Sequence, residues 1–166
     1  MTEAAFRTLY SEFRDPLFRF GYRLTGSAEE AEDLVHDCFV GLFRGGFDER
    51  RASPKTYLYG AMRNLCYKHF RDTGRETTSE NAETEVAAAG GPLDAMLARE
   101  TAVAVQCAVQ ALPVLQRETL ILFEYEDLTL EEISRIVEAD VGAVKSRLYR
   151  AREALRKSLA MKEAAR

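Results

Sequence analysis

Residues 128–157, LTLEEISRIVEADVGAVKSRLYRAREALRK, constrain this chain more than any other stretch. Apolar residues recur there at helical spacing in two runs, and the break between them is too short for anything but a tight turn. In the first run Leu130, Ile133, Ile136 and Val137 share a face. Thr129 and Glu132 make a capping box at its start. In the second run Val144, Leu148, Ala151 and Leu155 fall at i, i+4, i+7 and i+11, with Asp140 placed to cap the helix. Lys145, Ser146, Arg147, Tyr149, Arg150 and Arg152 are then expected to face outward. This is the pattern of a helix-turn-helix whose second helix, basic and rich in hydrogen-bonding groups, fits a DNA major groove. Glu138 occupies a turn position where such motifs often carry Gly, and a left-handed backbone there costs a residue with a side chain about 1–2 kcal/mol. A surface helix hairpin with a solvated basic face is the alternative reading.

No alternating β-type run occurs elsewhere, so the expected fold is all-α: two small helical domains joined by a flexible linker. A hydrophobic content of 46% is enough for a true core. The expected boundaries are 1–72, an acidic linker over 73–92, a second domain over 93–160 and a frayed tail over 161–166. A long amphipathic helix spans 3–24, and Pro16 is expected to kink or split it. Ser27 and Glu30 suggest a second capping box before a helix over 28–44. Ser53 and Pro54 open a third helix, to about residue 71. On that helix Tyr57, Leu58, Ala61, Met62, Leu65, Cys66 and Phe70 are assigned inward. Tyr59, Arg63, Asn64, Tyr67, Lys68 and Arg71 are left for the other face. Aromatic rings interleaved with cations suit unstacked nucleic acid. Two further helices, over 93–111 and from Pro113 through Phe123, are expected to carry the helix-turn-helix.

The net charge of −4 argues mildly against a nonspecific nucleic-acid binder, but the charge is segregated. Basic clusters at 63–75 and 140–157 flank an acidic stretch at 76–100, which suggests two contacts with a polyanion. Cys38, Cys66 and Cys107 are far apart and odd in number, and His36 and His69 form no ligand cluster. They read as reduced core cysteines of a cytoplasmic protein, with no metal and no cofactor. No signal peptide or membrane-length apolar run is visible, and no nucleophile–base pair or phosphate-cradling Gly loop, so neither membrane insertion nor catalytic residues are expected.

Taken together, these motifs resemble the extracytoplasmic-function (ECF) branch of the sigma-70-type bacterial transcription initiation factors. ALPVLQRETLILFEYEDLTLEEISRIVEADVGAVKSRLYRAREALRKSL resembles region 4 of that family. RLTGSAEEAEDLVHDCFVGLFR resembles the polymerase-binding helix of region 2, and YLYGAMRNLCYKHFR its promoter-melting helix. The resemblance implies a promoter-specificity subunit with two DNA-reading domains. Asp33, Leu34, His36, Asp37 and Phe39 would dock on the β′ clamp helices of core RNA polymerase, and region 4 on the β flap. Asn64 would help hold a base flipped from the minus-ten element, in a pocket walled by residues 47–56. Extruding a base costs a few kcal/mol, which a shaped pocket offsets. Tyr57, Tyr59, Arg63 and Lys68 would stack beside or contact the melted strand. Lys145, Ser146, Arg147, Tyr149 and Arg150 would face the minus-thirty-five element. An anti-sigma factor is a further implied partner.

The chain departs from the family pattern at several places. Tyr57 stands where Trp is usual, Tyr67-Lys68 where an apolar-Asp pair is usual, and His36 where Gln is common. Ala143 replaces a frequent Thr, and Glu138-Ala139-Asp140 a Gly-containing turn. These changes bear on the promoter sequence read rather than on the class of activity. The other readings are a helix-turn-helix repressor or activator that binds DNA without polymerase, and a sigma-like adaptor that binds no DNA.

Overall fold

A computed structural model describes residues 1–74 and 92–164, with side chains described for all but residues 92–100 and 163. Among the described residues the fold is all-helical. Three helices form the N-terminal domain: α1 (Glu3–Thr25), α2 (Ala28–Phe43) and α3 (Pro54–Asp72). Four form the C-terminal one: α4 (Pro92–Gln110), α5 (Val114–Leu120), α6 (Leu130–Val137) and α7 (Val141–Ala164). A single π turn, Ile121–Tyr125, continues α5. The expected flexible linker lies, over residues 75–91, outside the described residues.

Local chemistry sets the helix ends. The side chains of Thr2, Ser27 and Ser53 each accept a backbone N–H at the start of α1, α2 and α3. Gly26 ends α1 in the left-handed region, with φ of 79°. Pro16 does not split α1, which runs unbroken through it. Phe13 is buried before the proline and Leu17, Phe20 and Leu24 after it, so both halves of the helix are anchored in the core. The capping box expected at Ser27 forms only by half. The Ser27 N–H donates to Thr25 Oγ1 at 3.2 Å, while the Glu30 carboxylate lies 3.1 Å from His69 Nε2 on α3. The box at Thr129 forms completely.

Two other expectations change. Helix α7 continues to Ala164, through residues expected to fray, because Ala160-Met161-Lys162-Glu163-Ala164 are all good helix formers. On α4, which packs between α1 and α7, Ala108 and Val109 are buried, whereas Val103 and Cys107 point away from both and are exposed. Cys38 and Cys66 are buried as expected.

The hydrophobic core is continuous across both domains. Leu17, Phe20, Leu24, Leu42, Leu58, Met62 and Cys66 centre the first part, and Ile121, Leu122, Ile133, Val144 and Ala151 the second. Gly21 allows α1 to approach α2 and α3 closely, since a Cβ there would run into Met62 Cε and touch Ala31. Between the domains, α6 packs on α3, and α4, α5 and the π turn pack on α1.

Candidate nucleic-acid interface

On α3 the five residues expected to meet a melted strand divide between two faces. Tyr57, Asn64 and Lys68 fall at i, i+7 and i+11 and so share one side of the helix. Asn64 and Lys68 are exposed, and Tyr57 is half-buried with its ring 5.2 Å from that of Phe47. Phe47 belongs to the segment between α2 and α3, so this segment does reach the open face of α3. Tyr59 and Arg63, assigned outward from the sequence, are instead turned under the C-terminal domain. Tyr59 is only 2% exposed and donates its hydroxyl to Glu126 Oε2 at 3.0 Å. Arg63 makes a two-pronged ion pair with the fully buried Glu118, at 2.7 and 3.1 Å, and lies 4.6 Å from the centre of the Tyr67 ring. Helical periodicity missed that the Tyr59 ring also packs edge-on against Phe20 of its own domain, 5.7 Å between centroids. It carried no information about a second domain covering them.

Burial dominates the electrostatics here. It pushes the Glu118 carboxyl above the usual carboxylate range, and the Arg63 guanidinium offsets this only in part. Glu126 is pushed up by burial too, against the pull of the Tyr59 hydroxyl. Burial also raises the Tyr59 phenol, reinforced by the neighbouring Glu126 charge, so the hydroxyl stays a donor.

The helix-turn-helix has the geometry its sequence implies. Ala139 N donates to Ser134 O at 3.1 Å, and the Ser134 hydroxyl donates to Ala139 O, which ties the turn across the break. Glu138 adopts the left-handed conformation, with φ of 53°. Asp140 Oδ1 accepts Ala143 N–H at 2.8 Å and caps α7. Val144, Leu148 and Ala151 are buried on one side of α7. Lys145, Ser146, Tyr149 and Arg150 are exposed on the other, Tyr149 at 68%. Arg147 departs from the expectation: it is half-buried, with one Nη enclosed, and its charge acts on Glu118. Its position one turn from both Val144 and Ala151 puts it at the boundary between core and surface.

The α2 residues also split. Asp33, His36 and Asp37 are exposed, while Leu34 and Phe39 are buried. Phe39 stacks edge-on against Phe6 and Tyr10 of α1, at 6.2 and 4.9 Å. At the end of this aromatic cluster Phe43 is 75% exposed, its ring 5.6 Å from Phe6. In the sequence Phe43 falls in one apolar stripe with Leu34, Val35, Cys38, Phe39 and Leu42. Only the path of α1 reveals it as a protruding ring next to an acidic helix face. Among the described residues no group of three or more potential metal ligands occurs, and no helix is long and apolar enough to cross a membrane.

Comparison with known proteins agrees with this two-part architecture. Residues 9–76 match Sigma-70 region 2, and residues 102–155 match Sigma-70, region 4. The chain is 30% identical to the ECF RNA polymerase sigma factor SigW of Bacillus subtilis, over 93% of this chain and 89% of that protein. It is 31% identical to the RNA polymerase sigma-H factor of Pseudomonas aeruginosa, over 93% of this chain and 86% of that one. The fold is similar to that of the sigma factor RpoE from Bartonella quintana, solved with the anti-sigma factor NepR, with a TM-score of 0.73 at 24% identity, over 94% of this chain and 97% of that one. The fold and its two helical faces thus define a two-domain sigma-70-type protein. Within that class, the chain belongs to the ECF RNA polymerase sigma factors.

Proposed function

We propose that this chain binds core RNA polymerase in the cytoplasm and directs initiation at promoters that carry two separated elements. The observation that carries this reading is the pair of exposed helix faces in separate domains. One holds Tyr57, Asn64 and Lys68 beside the Phe47 segment, and the other holds Lys145, Ser146, Tyr149 and Arg150. Residues 1–72 would act as the polymerase-binding and minus-ten unit, and residues 93–160 as the minus-thirty-five unit. Two weak sites on one chain gain avidity through effective concentration, with no new contact.

Within that scheme Asp33, His36 and Asp37 meet the β′ clamp helices as a solvent-exposed acidic edge. Leu34 and Phe39 support them from the core. Asn64 holds a flipped base by hydrogen bonds while Tyr57 stacks and Lys68 meets a phosphate. On α7, Arg150 and Lys145 donate to guanine edges or phosphates. Tyr59, Arg63 and Arg147 join these contacts once the domains separate. An anti-sigma factor is a fitting regulator, since the RpoE relative was solved with one.

The test is reconstituted transcription with core polymerase on candidate promoters. Promoter-dependent initiation is the expected result. Tight duplex binding without polymerase, and no initiation, would instead mark a conventional repressor or activator. Asn64→Ala should reduce promoter opening, read by permanganate reactivity, far more than it reduces polymerase affinity. Equal loss of both would remove the flipped-base role.

A further inference from the structure

A cleft of about 310 Å³ opens where α1, α4 and the π turn meet, and none of the residues assigned to DNA or to polymerase lines it. Its α1 side is aromatic. Phe18 and Tyr22, one turn apart, stack at 6.2 Å with their ring planes 17° apart. Its α4 side is aliphatic, made by Ala102, Val105 and Val109 at i, i+3 and i+7. Two arginines of α1 complete the lining. Arg23 is already engaged: its guanidinium lies 4.2 Å above the Tyr125 ring and 3.9 Å from Glu126. Arg19 is exposed and makes no ion pair or hydrogen bond among the described residues. No carboxylate lines the cleft among those residues, so the formal charge of its lining is positive. Two amides of α4 are left incompletely bonded there. Gln106 Nε2 is a buried donor without an acceptor. Gln110, only 3% exposed, donates through Nε2 to Arg23 O, but its Oε1 is a buried acceptor without a donor. Buried polar atoms in that condition are uncommon in a folded protein.

We propose that this cleft is a binding site for a small aromatic carboxylate of one or two rings. Its volume lies at the lower end of the range that small-molecule sites occupy, which suits an acid of that size rather than a polypeptide. The two walls match the two faces of a flat ring. One face stacks on the Phe18–Tyr22 pair, and the other packs on the methyl groups of Val105 and Val109. The acid end meets Arg19, whose planar guanidinium offers a carboxylate two parallel donors. The idle Gln106 N–H group supplies a further donor to the same oxygens. An uncharged ring of the same shape uses the walls alone, and a cationic one is repelled by the arginines. Because α1 belongs to one domain and α4 and Tyr125 to the other, the ligand touches both. Its concentration is thereby linked to the contact between them.

The test is calorimetric titration of the full chain with naphthoate, and with naphthamide as the uncharged ligand of the same shape. The wild type should bind one equivalent of naphthoate, roughly tenfold more tightly than naphthamide. Arg19→Gln changes an exposed side chain and leaves the walls in place. It should weaken naphthoate binding about tenfold and leave naphthamide binding unchanged. Val105→Trp fills the cleft and should abolish binding of both ligands. Should that variant fold poorly, the Arg19→Gln comparison reads the same site without altering its packing. Absence of naphthoate binding at millimolar concentration overturns the proposal, as does naphthoate binding that Arg19→Gln leaves unchanged. Neither polymerase nor DNA enters the measurement, so its outcome is independent of the transcription assay.

Discussion

At the scale of the single residue, Arg117 is a charged side chain buried where the two domains meet. It is 1% exposed, and its guanidinium donates to the carbonyls of Leu24, Gln110 and Leu112, at 2.7, 2.9 and 3.0 Å. Burial lowers its pKa to about 10, so it remains charged at neutral pH. Replacing it with Met would strand three carbonyls, each costing about 1–3 kcal/mol if left unsatisfied. Arg117→Met should lower stability by at least about 3 kcal/mol in urea unfolding, and Lys, a point charge on a flexible stem, should not rescue it. Glu138 carries the opposite expectation. Its left-handed backbone costs about 1–2 kcal/mol, and Gly removes that cost while losing about 0.5–1 kcal/mol of entropy. Glu138→Gly should therefore raise stability by up to about 1 kcal/mol with no change in the exposed face of α7. Glu118 predicts a pH signature. Its folded pKa is raised by burial, so the folded state holds the proton at higher pH than the unfolded state does. Its contribution to stability is greatest below the ordinary carboxylate value and is lost as pH rises through the shifted one. Glu118→Gln should flatten that slope in thermal melts run from pH 4 to 7.

Helices and their ends were largely legible in the sequence, because caps and periodicity are local. Thr129 with Glu132, Ser53 with Pro54, and Asp140 all sit where the helices begin. What escaped was set by competition or by distance. At Ser27 the backbone N–H went to Thr25 and the Glu30 side chain to His69, two contacts that a capping rule does not weigh. At Cys107 a hydrophobic-looking position proved exposed, while its neighbours Ala108 and Val109 are buried. Tyr59 and Arg63 were legible as nucleic-acid-type residues and illegible as buried ones, since their partners lie 67 and 55 positions away. Two element-scale expectations follow. Gly21→Val should destabilise by about 1–3 kcal/mol, since a Cβ there overlaps Met62 Cε and the buried Met62 side chain has to repack. Asp140→Ala should cost about 0.5–2 kcal/mol and fray the start of α7, seen as faster amide exchange at Ala143.

At the scale of the whole molecule, the core is one cluster although the family resemblance is carried by two regions. The apolar part of the domain contact therefore persists when the polar contacts across it are weakened. Raising salt should loosen the half-buried Lys55–Glu132 pair before the more deeply buried Arg63–Glu118 pair, because screening acts weakly on charges shielded from solvent. A salt titration followed by scattering should accordingly show little expansion of the chain.

The grip of Arg117 on Leu24 has a consequence for how the chain is made. The two residues are 93 positions apart. Helices α1 to α3 end at Asp72, so the N-terminal domain is complete about forty-five residues before Arg117 has been synthesised. At a translation rate of roughly 5–20 residues per second, the finished N-terminal domain waits some 2–9 s on the ribosome with the final carbonyls of α1 bare and Tyr59 and Arg63 of α3 uncovered. A nascent chain arrested in that interval would display the N-terminal half in its open form, without any help from polymerase.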